Sequence, residues 1–123
     1  MEKLTDVEQL IMRCIWEYEG EMPFLELGKK LKENFHKDYK RTSIRTYLFR
    51  LEEKGYINVE KRGRQSYIQT LIPVETYKKE QAAEILDIWF DGSAKQFLSA
   101  LGGRLSEDES QELKGLLDDM DFD

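Results

Sequence analysis

Cysteine and histidine are almost absent from the sequence, which has one of each, Cys14 and His36. A single cysteine cannot form a disulfide within the chain, and no pair of Cys or His residues has the spacing of a zinc site. General acid–base and nucleophilic catalysis usually rely on a His or Cys with a partner, and the sequence offers no such pair. We therefore expect no metal site and no cofactor, and we expect a protein that is not an enzyme.

Long apolar runs are also lacking. No segment is long enough to span a membrane or to form the apolar part of a signal peptide. With 40% hydrophobic residues, the chain of 123 residues has the material for one modest core, or for one small core plus a dimer-forming appendage. These features predict a cytoplasmic protein without membrane insertion.

Net positive charge is lacking overall, since 25 Asp and Glu outnumber 19 Lys and Arg and the formal net charge is -6. Its distribution is uneven. Residues 29–64 carry 12 Lys and Arg against 5 Asp and Glu, whereas residues 1–28 carry 2 against 7 and residues 74–123 carry 5 against 13. A positive region within an acidic chain is typical of a nucleic-acid binder whose remaining surface repels non-specific phosphate contacts.

Two helices are predicted in the N-terminal part of the chain. Thr5 and Glu8 have the spacing of a capping box, and an apolar stripe follows at helical spacing as far as Gly20. Cys14 lies on this stripe, where a small buried apolar residue is expected rather than a nucleophile. Pro23 is predicted to open the second helix.

A third helix and a β-hairpin follow. Gly55 is predicted to end the helix in the left-handed conformation, and the strands after it are predicted to turn at Arg62 and Gly63. The apolar stripe of this helix consists of Ile44, Tyr47, Leu48 and Leu51. Three helices and a hairpin predict a mainly α winged helix-turn-helix domain.

The third helix and the hairpin tip carry side chains suited to DNA. Arg45 can donate two hydrogen bonds to guanine O6 and N7, and the helix start offers backbone N–H groups to a phosphate. Phe49, outside the buried stripe, is expected either to be partly buried or to contact a thymine methyl group. Base-reading roles are predicted for Ser43, Arg45, Thr46 and Arg50, and backbone contacts for Lys40, Arg41, Thr42, Lys61, Arg62 and Arg64.

Pro73 marks a change to an acidic, purely helical pattern, so residues 1–73 are predicted to form the DNA-binding domain and residues 74–123 a helical dimerisation domain. Ser106 and Glu109 form a second capping-box pattern at the last helix. About fifty residues cannot easily bury this many large apolar groups alone, so a second copy is expected to cover them. The predicted dimer contacts are Tyr77, Ile85, Leu86, Trp89, Phe97, Leu98, Leu101, Leu113, Leu116 and Leu117.

An ordered set of motifs makes the chain resemble the BlaI/MecI family of penicillinase repressors. The set comprises Thr5-Asp6-x-Glu8, Ile15-Trp16, Ser43-Ile44-Arg45-Thr46, Arg50-Leu51-x-x-Lys54-Gly55, Gly63-Arg64, Tyr67, Gly92-Ser93 and Leu105-Ser106-x-x-Glu109. The resemblance spans nearly the whole length. It implies a homodimer that binds a palindromic double-stranded DNA operator through the third helix and wing of each subunit and represses genes of β-lactam resistance.

The resemblance also implies how repression ends. In inducible relatives a membrane sensor with a zinc-protease domain senses the antibiotic, and the repressor is cut within its dimerisation helices. By position the cut falls near Ala100 and Leu101, where this chain departs from the Asn-Phe-like pair of the inducible relatives. Copper-responsive members carry a C-terminal cysteine metal site, and no cysteine follows Cys14 here, so metal-regulated release is not expected.

Two other functions are compatible with the same pattern. A regulator of the PadR or MarR type would open its dimer or wing when a small hydrophobic ligand enters a pocket lined by groups such as Trp89, Phe90 and Phe97. A winged helix used as a protein-binding adaptor would instead present the third helix to a partner protein. Failure to bind any promoter fragment at low salt would favour the adaptor.

Overall fold

The computed structural model describes residues 1–119, and it describes the side chains of the last helix only as far as residue 115. The predicted dimer contacts Leu116 and Leu117 lie outside the described side chains, and Met120 lies outside the described residues. The elements are α1 (Asp6–Glu17), β1 (Met22–Pro23), α2 (Phe24–Phe35), α3 (Arg41–Glu53), β2 (Ile57–Arg62), β3 (Gln65–Thr70), α4 (Val74–Trp89), α5 (Ala94–Leu101), a 3-10 turn (Gly102–Arg104) and α6 (Glu107–Asp119).

Helix α1 begins with the predicted capping box. The Thr5 backbone N–H donates to Oε1 of Glu8 at 2.8 Å, and the Glu8 backbone N–H donates to Oγ1 of Thr5 at 3.3 Å. These two bonds satisfy N–H groups that the helix itself leaves without acceptors. The helix ends at Glu17, earlier than the predicted end at Gly20, because Tyr18 adopts an extended conformation.

The core of the first part of the chain lies where α1, α2, α3 and the small sheet meet. The innermost side chains are fully buried and come from all of these elements; they include Ile11, Ile15, Leu27, Leu31, Leu51 and Ile68. Cys14 is buried with them, and burial, reinforced by the charge of Glu17, raises the pKa of its thiol to about 11. Its burial agrees with the prediction of a small buried apolar residue at this position.

Helix α3 ends at a glycine in the left-handed conformation, as predicted. Gly55 has φ +83°, its N–H donates to the Glu52 carbonyl oxygen at 3.0 Å, and the Tyr56 N–H donates to the Leu51 carbonyl oxygen at 3.0 Å. This pair of bonds is the Schellman motif. It turns the chain directly into β2 and buries Tyr56, so that the wing is fixed to the end of α3.

The sheet has three strands in the order β1-β3-β2, all antiparallel. The sequence predicted only the hairpin, because β1 has two residues and exists by pairing Met22 with Ile68 and Pro23 with Tyr67. Pro23 precedes α2 as its N-cap instead of opening the helix as its first residue. The predicted hairpin turn at Arg62 and Gly63 is wrong by one residue, since Arg62 pairs with Gln65 and leaves Gly63 and Arg64 as the two-residue loop.

The chain divides into two compact units, Met1–Lys78 and Lys79–Asp123. The first unit extends beyond the predicted boundary at residue 73. Within it, the Tyr77 ring lies 5.0 Å from the Trp16 ring and 6.0 Å from the Tyr56 ring, measured between centroids. Tyr77, predicted as a dimer contact, therefore packs on the core of its own unit, and its aromatic partners are distant in sequence.

The second unit is entirely helical in its described part. Ser93 caps α5 by accepting a hydrogen bond from the Gln96 N–H at 3.2 Å. Ser106 and Glu109 form the predicted reciprocal capping box at α6, with N–O distances of 3.3 and 3.1 Å. None of the residues of α4 or α5, both of which are described in full, is buried.

Large apolar side chains of this unit face solvent. Trp89 is 76% exposed, Ile88 is 62% exposed and Ile85 is 44% exposed. Phe90 and Phe97 pack edge to face with ring centroids 5.3 Å apart. Leu86, Leu98, Leu101 and Leu113 are half-buried. No helix among the described residues is both long enough and apolar enough to cross a membrane.

Candidate nucleic-acid interface

Helix α3 has one buried face and one exposed polar face. Ile44, Leu48 and Leu51 are buried, and Tyr47, predicted to join them, is half-buried. The opposite face exposes side chains that recur at helical spacing: Thr42, Arg45, Thr46, Phe49 and Arg50. Ser43, also predicted to read bases, is half-buried at the edge of this face. One face therefore presents hydroxyls, guanidinium groups and an aromatic ring together.

Arg45 is stacked on an aromatic ring from the neighbouring helix. Its guanidinium carbon lies 4.3 Å from the centroid of the Phe24 ring, at the start of α2. Phe24 is only 6% exposed, so its ring is held in the core and cannot easily follow the arginine. A cation over an aromatic face is attracted by the ring quadrupole, and the planar guanidinium keeps its edge N–H groups free to donate.

The other polar side chains of this face are less free. The Thr46 hydroxyl donates to the Thr42 carbonyl oxygen at 3.1 Å, one turn earlier in the same helix. This bond orients the threonine and leaves its oxygen as an acceptor. The guanidinium carbon of Arg50 lies 5.9 Å from the centroid of the Tyr47 ring, a looser stack than that of Arg45.

The start of α3 is suited to an anion. Lys40 is the N-cap and makes no side-chain capping bond, and the first turn has no acidic residue. The first backbone N–H groups of a helix have no acceptor within the helix, and the helix dipole places partial positive charge there. With Lys40, Arg41 and Thr42 exposed around them, these groups form a site that favours a phosphate.

A cleft of about 360 Å³ connects the start of α2, the start of α3 and the wing loop. It brings together three of the predicted residues, Arg41, Arg45 and Arg64, which lie on different elements. Lys29, on α2, also lines the cleft, next to Glu26, whose carboxylate is 3.5 Å from the Lys29 amine. Sequence reasoning missed Lys29 and Phe24 as site residues, although Lys29 lies within the positive region of residues 29–64.

Two arginines of the wing have different surroundings. Arg64, in the loop, is exposed and forms no ion pair with the described residues, and Lys61 is exposed as well. Arg62 is held by two carboxylates: its Nη1 is 2.6 Å from Oε2 of Glu21 and its Nη2 is 2.9 Å from Oε2 of Glu60. Hydrogen bonds from Arg62 lower the pKa of both carboxyl groups, and the carboxylates raise the pKa of Arg62.

Arg62, which was predicted to contact the DNA backbone, is thus already bound to groups of the protein. Its guanidinium also lies 4.9 Å from the centroid of the Tyr67 ring on β3. Gln69 completes the group by donating to Glu21 at 2.7 Å and to Glu60 at 3.0 Å. The arginine thus ties the tip end of β2 to the turn before β1, while Lys61 and Arg64 remain available to an external anion.

These features define a winged helix-turn-helix protein, the class in which a helix that follows a short turn enters the DNA major groove. The predicted fold class is confirmed. The chain belongs to the penicillinase repressor family, whose family model matches residues 4–119. This is a family of transcriptional repressors and not of enzymes, and the resemblance found in the sequence motifs is confirmed.

Solved structures show the same architecture. The solution structure of the DNA-binding domain of the repressor BlaI is similar, with 29% sequence identity and a TM-score of 0.51, and the match covers 63% of this chain and 94% of that domain. The complex structure of hsRosR-S1 has 14% identity and a TM-score of 0.55, and covers 94% of this chain and 90% of that one; this likeness is one of fold alone. Comparison with curated protein sequences gives no significant match.

Proposed function

We propose that this chain is a homodimeric, sequence-specific DNA-binding repressor whose α3 enters the major groove of a palindromic operator. The observation that supports the proposal best is the cleft in which Arg41, Arg45 and Arg64 converge from the recognition helix and the wing. Arg45 on the exposed face reads bases, whereas the helix start and the wing hold the sugar-phosphate backbone. The similarity to BlaI, whose matching part is the DNA-binding domain of a repressor, supports the same function.

The second unit supplies the dimer in this proposal. Ile85, Ile88 and Trp89 expose large apolar surfaces that a second copy would remove from water. A two-fold dimer presents two recognition helices to two half-sites about one DNA turn apart, and a palindromic operator matches this symmetry. Each single domain binds weakly, so operator affinity depends on the dimer.

Release follows from the same dependence. We infer that cleavage or loosening of the second unit separates the recognition helices and frees the operator, and that the repressed genes are of the β-lactamase or antibiotic-resistance type. Ala100 is exposed and Leu101 is half-buried at the end of α5, directly before the 3-10 turn. Cutting this bond, through the pathway of a membrane sensor protease, requires the last turn of α5 to open first.

Selection of bound fragments from the source genome, followed by affinity measurement on the selected operator, tests the proposal. Arg45→Ala is expected to weaken specific binding by about 1–3 kcal/mol and to relax the base preference at one position of each half-site. Arg13→Ala is the matched control, because Arg13 is also exposed and stacks on a phenylalanine, with its guanidinium carbon 4.8 Å from the Phe35 centroid, but on α1.

Two results would contradict the proposal. Failure of the wild-type chain to select any DNA at low salt would favour the protein-binding adaptor. Equal, sequence-independent losses for Arg45→Ala and Arg13→Ala would show that Arg45 does not read bases.

A further inference from the structure

Phe49 is a large aromatic side chain on the exposed face of α3. It is 60% exposed, whereas the apolar side chains of the opposite face, Ile44, Leu48 and Leu51, are 0–3% exposed. The exposed part of this ring leaves apolar surface in water, which is unfavourable. Its position is therefore not explained by the packing of this unit.

The spacing along the helix places Phe49 in the middle of the predicted DNA-reading face. Residues four and seven positions apart share one side of an α-helix, so Phe49 lies in line with Arg45 and Thr42. Thr46, three positions earlier, is also exposed. The Phe49 ring therefore lies beside side chains that are assigned to bases and phosphates. Any DNA that Arg45 contacts passes close to this ring.

The major groove offers one apolar group to such a ring, the C5 methyl group of thymine. We propose that Phe49 is a specificity-determining residue that packs on a thymine methyl group within each operator half-site. This inference rests on the proposed function and deepens it, because it names one base that α3 recognises. Phenylalanine forms no hydrogen bond with a base edge, so its contribution comes only from covering the methyl group.

Replacing thymine by deoxyuridine tests the inference, since this change removes the methyl group and keeps base pairing. Operators carrying one deoxyuridine at each thymine in turn are titrated with wild-type protein. One position per half-site is expected to bind about fourfold more weakly, the effect of one buried methyl group. Phe49→Ala is expected to bind the thymine and deoxyuridine operators equally at that position, and to keep the wild-type response at every other position.

Two further variants serve as controls. Phe49→Leu keeps an apolar side chain and is expected to retain most of the discrimination. Leu71→Ala removes an exposed apolar side chain, 57% exposed, that lies outside α3, and is expected to leave the whole deoxyuridine profile unchanged. Binding at low salt keeps the weaker Phe49→Ala complex measurable.

The possible results separate this inference from the proposed function. A wild-type chain that binds no DNA contradicts the proposed function itself. A chain that binds its operator but responds to deoxyuridine identically with Phe49 and with alanine at this position contradicts only the role of Phe49. Insensitivity of the wild-type protein to deoxyuridine at every position has the same meaning.

Discussion

Lys54 and Glu8 form a buried ion pair that joins the end of α3 to the start of α1. The Lys54 amine lies 2.6 Å from Oε1 of Glu8 and also donates to the Lys3 carbonyl oxygen at 2.8 Å. The Glu8 side chain is only 1% exposed and that of Lys54 is 20% exposed. Because Glu8 Oε1 also accepts from the Thr5 backbone, one carboxylate both caps α1 and anchors the recognition helix.

Glu8→Gln is expected to lower the free energy of unfolding by about 3 kcal/mol, because it leaves the Lys54 charge without its partner in a largely buried site. The measurement is urea unfolding followed by circular dichroism at neutral pH. Glu33→Gln is the matched control, since Glu33 pairs with Lys30 at 3.6 Å on the surface, where ion pairs contribute little. An equal effect of both substitutions would contradict the special role of the buried pair.

The same pair predicts a pH dependence. Burial raises the pKa of Glu8, but hydrogen bonds from Lys54 and Thr5 and the Lys54 charge outweigh it, so the pKa falls below its ordinary value of 4.5. The unfolded chain then binds a proton here more readily, and the stabilisation is fully present above 4.5 and is lost as the pH falls through the folded pKa. Across this acidic range, the free energy of unfolding of Glu8→Gln should change less with pH than that of the wild-type protein.

A third prediction concerns the stack of Arg45 on Phe24. Phe24→Leu keeps an apolar core residue but removes the aromatic face, and it is expected to reduce base discrimination at the Arg45 position by about 1 kcal/mol, roughly fivefold. In an Arg45→Ala background the same substitution should change discrimination little. A loss that persists without Arg45 would mean that Phe24 acts through the stability of the fold, which thermal unfolding of each variant measures directly.

The two wing arginines should differ in their salt dependence. Arg64→Ala is expected to reduce the slope of log affinity against log salt by about one, the loss of one phosphate contact. Arg62→Ala is expected to leave that slope unchanged, because Glu21 and Glu60 already bind this guanidinium. Lys95→Ala, an exposed charge of the second unit, serves as the charge-matched control. Equal slope changes for Arg62 and Arg64 would show that DNA displaces the two carboxylates.

Dimer formation should depend on Trp89, the most exposed of the large apolar side chains of the first half of the second unit. Trp89→Ala is expected to weaken the dimer by about 2 kcal/mol, roughly thirtyfold in Kd, as for an aromatic residue at the centre of an interface. Sedimentation equilibrium measures this change. Glu84→Ala, exposed on the same helix, is the control and should leave the dimer intact. A dimer insensitive to Trp89→Ala would place the interface elsewhere.

Local signals predicted the helical part of the fold well. The capping boxes at Thr5 and Ser106 and the left-handed Gly55 each depend on a few neighbouring residues, and all three were found where the sequence placed them. The winged helix class followed from their order together with the hairpin. Such features need no information about distant parts of the chain.

The differences arose where distant residues meet. Strand β1 is formed only by pairing with β3, which is distant from it in sequence. Arg62, predicted to hold a phosphate, pairs with Glu21, which comes from before β1. Lys29 and Arg64 share a cleft although they lie on different elements. No periodicity in the sequence reports such contacts.

The pairing of Arg62 with the Glu21 and Glu60 carboxylates has a consequence for how fast an operator is found. A repressor competes with an excess of random DNA, and every unpaired cation lengthens its stay on each wrong site. With Arg62 already bound to Glu21 and Glu60, the wing offers fewer unpaired charges to random phosphates. The protein should therefore leave non-specific sites quickly and spend more of its search time moving between them.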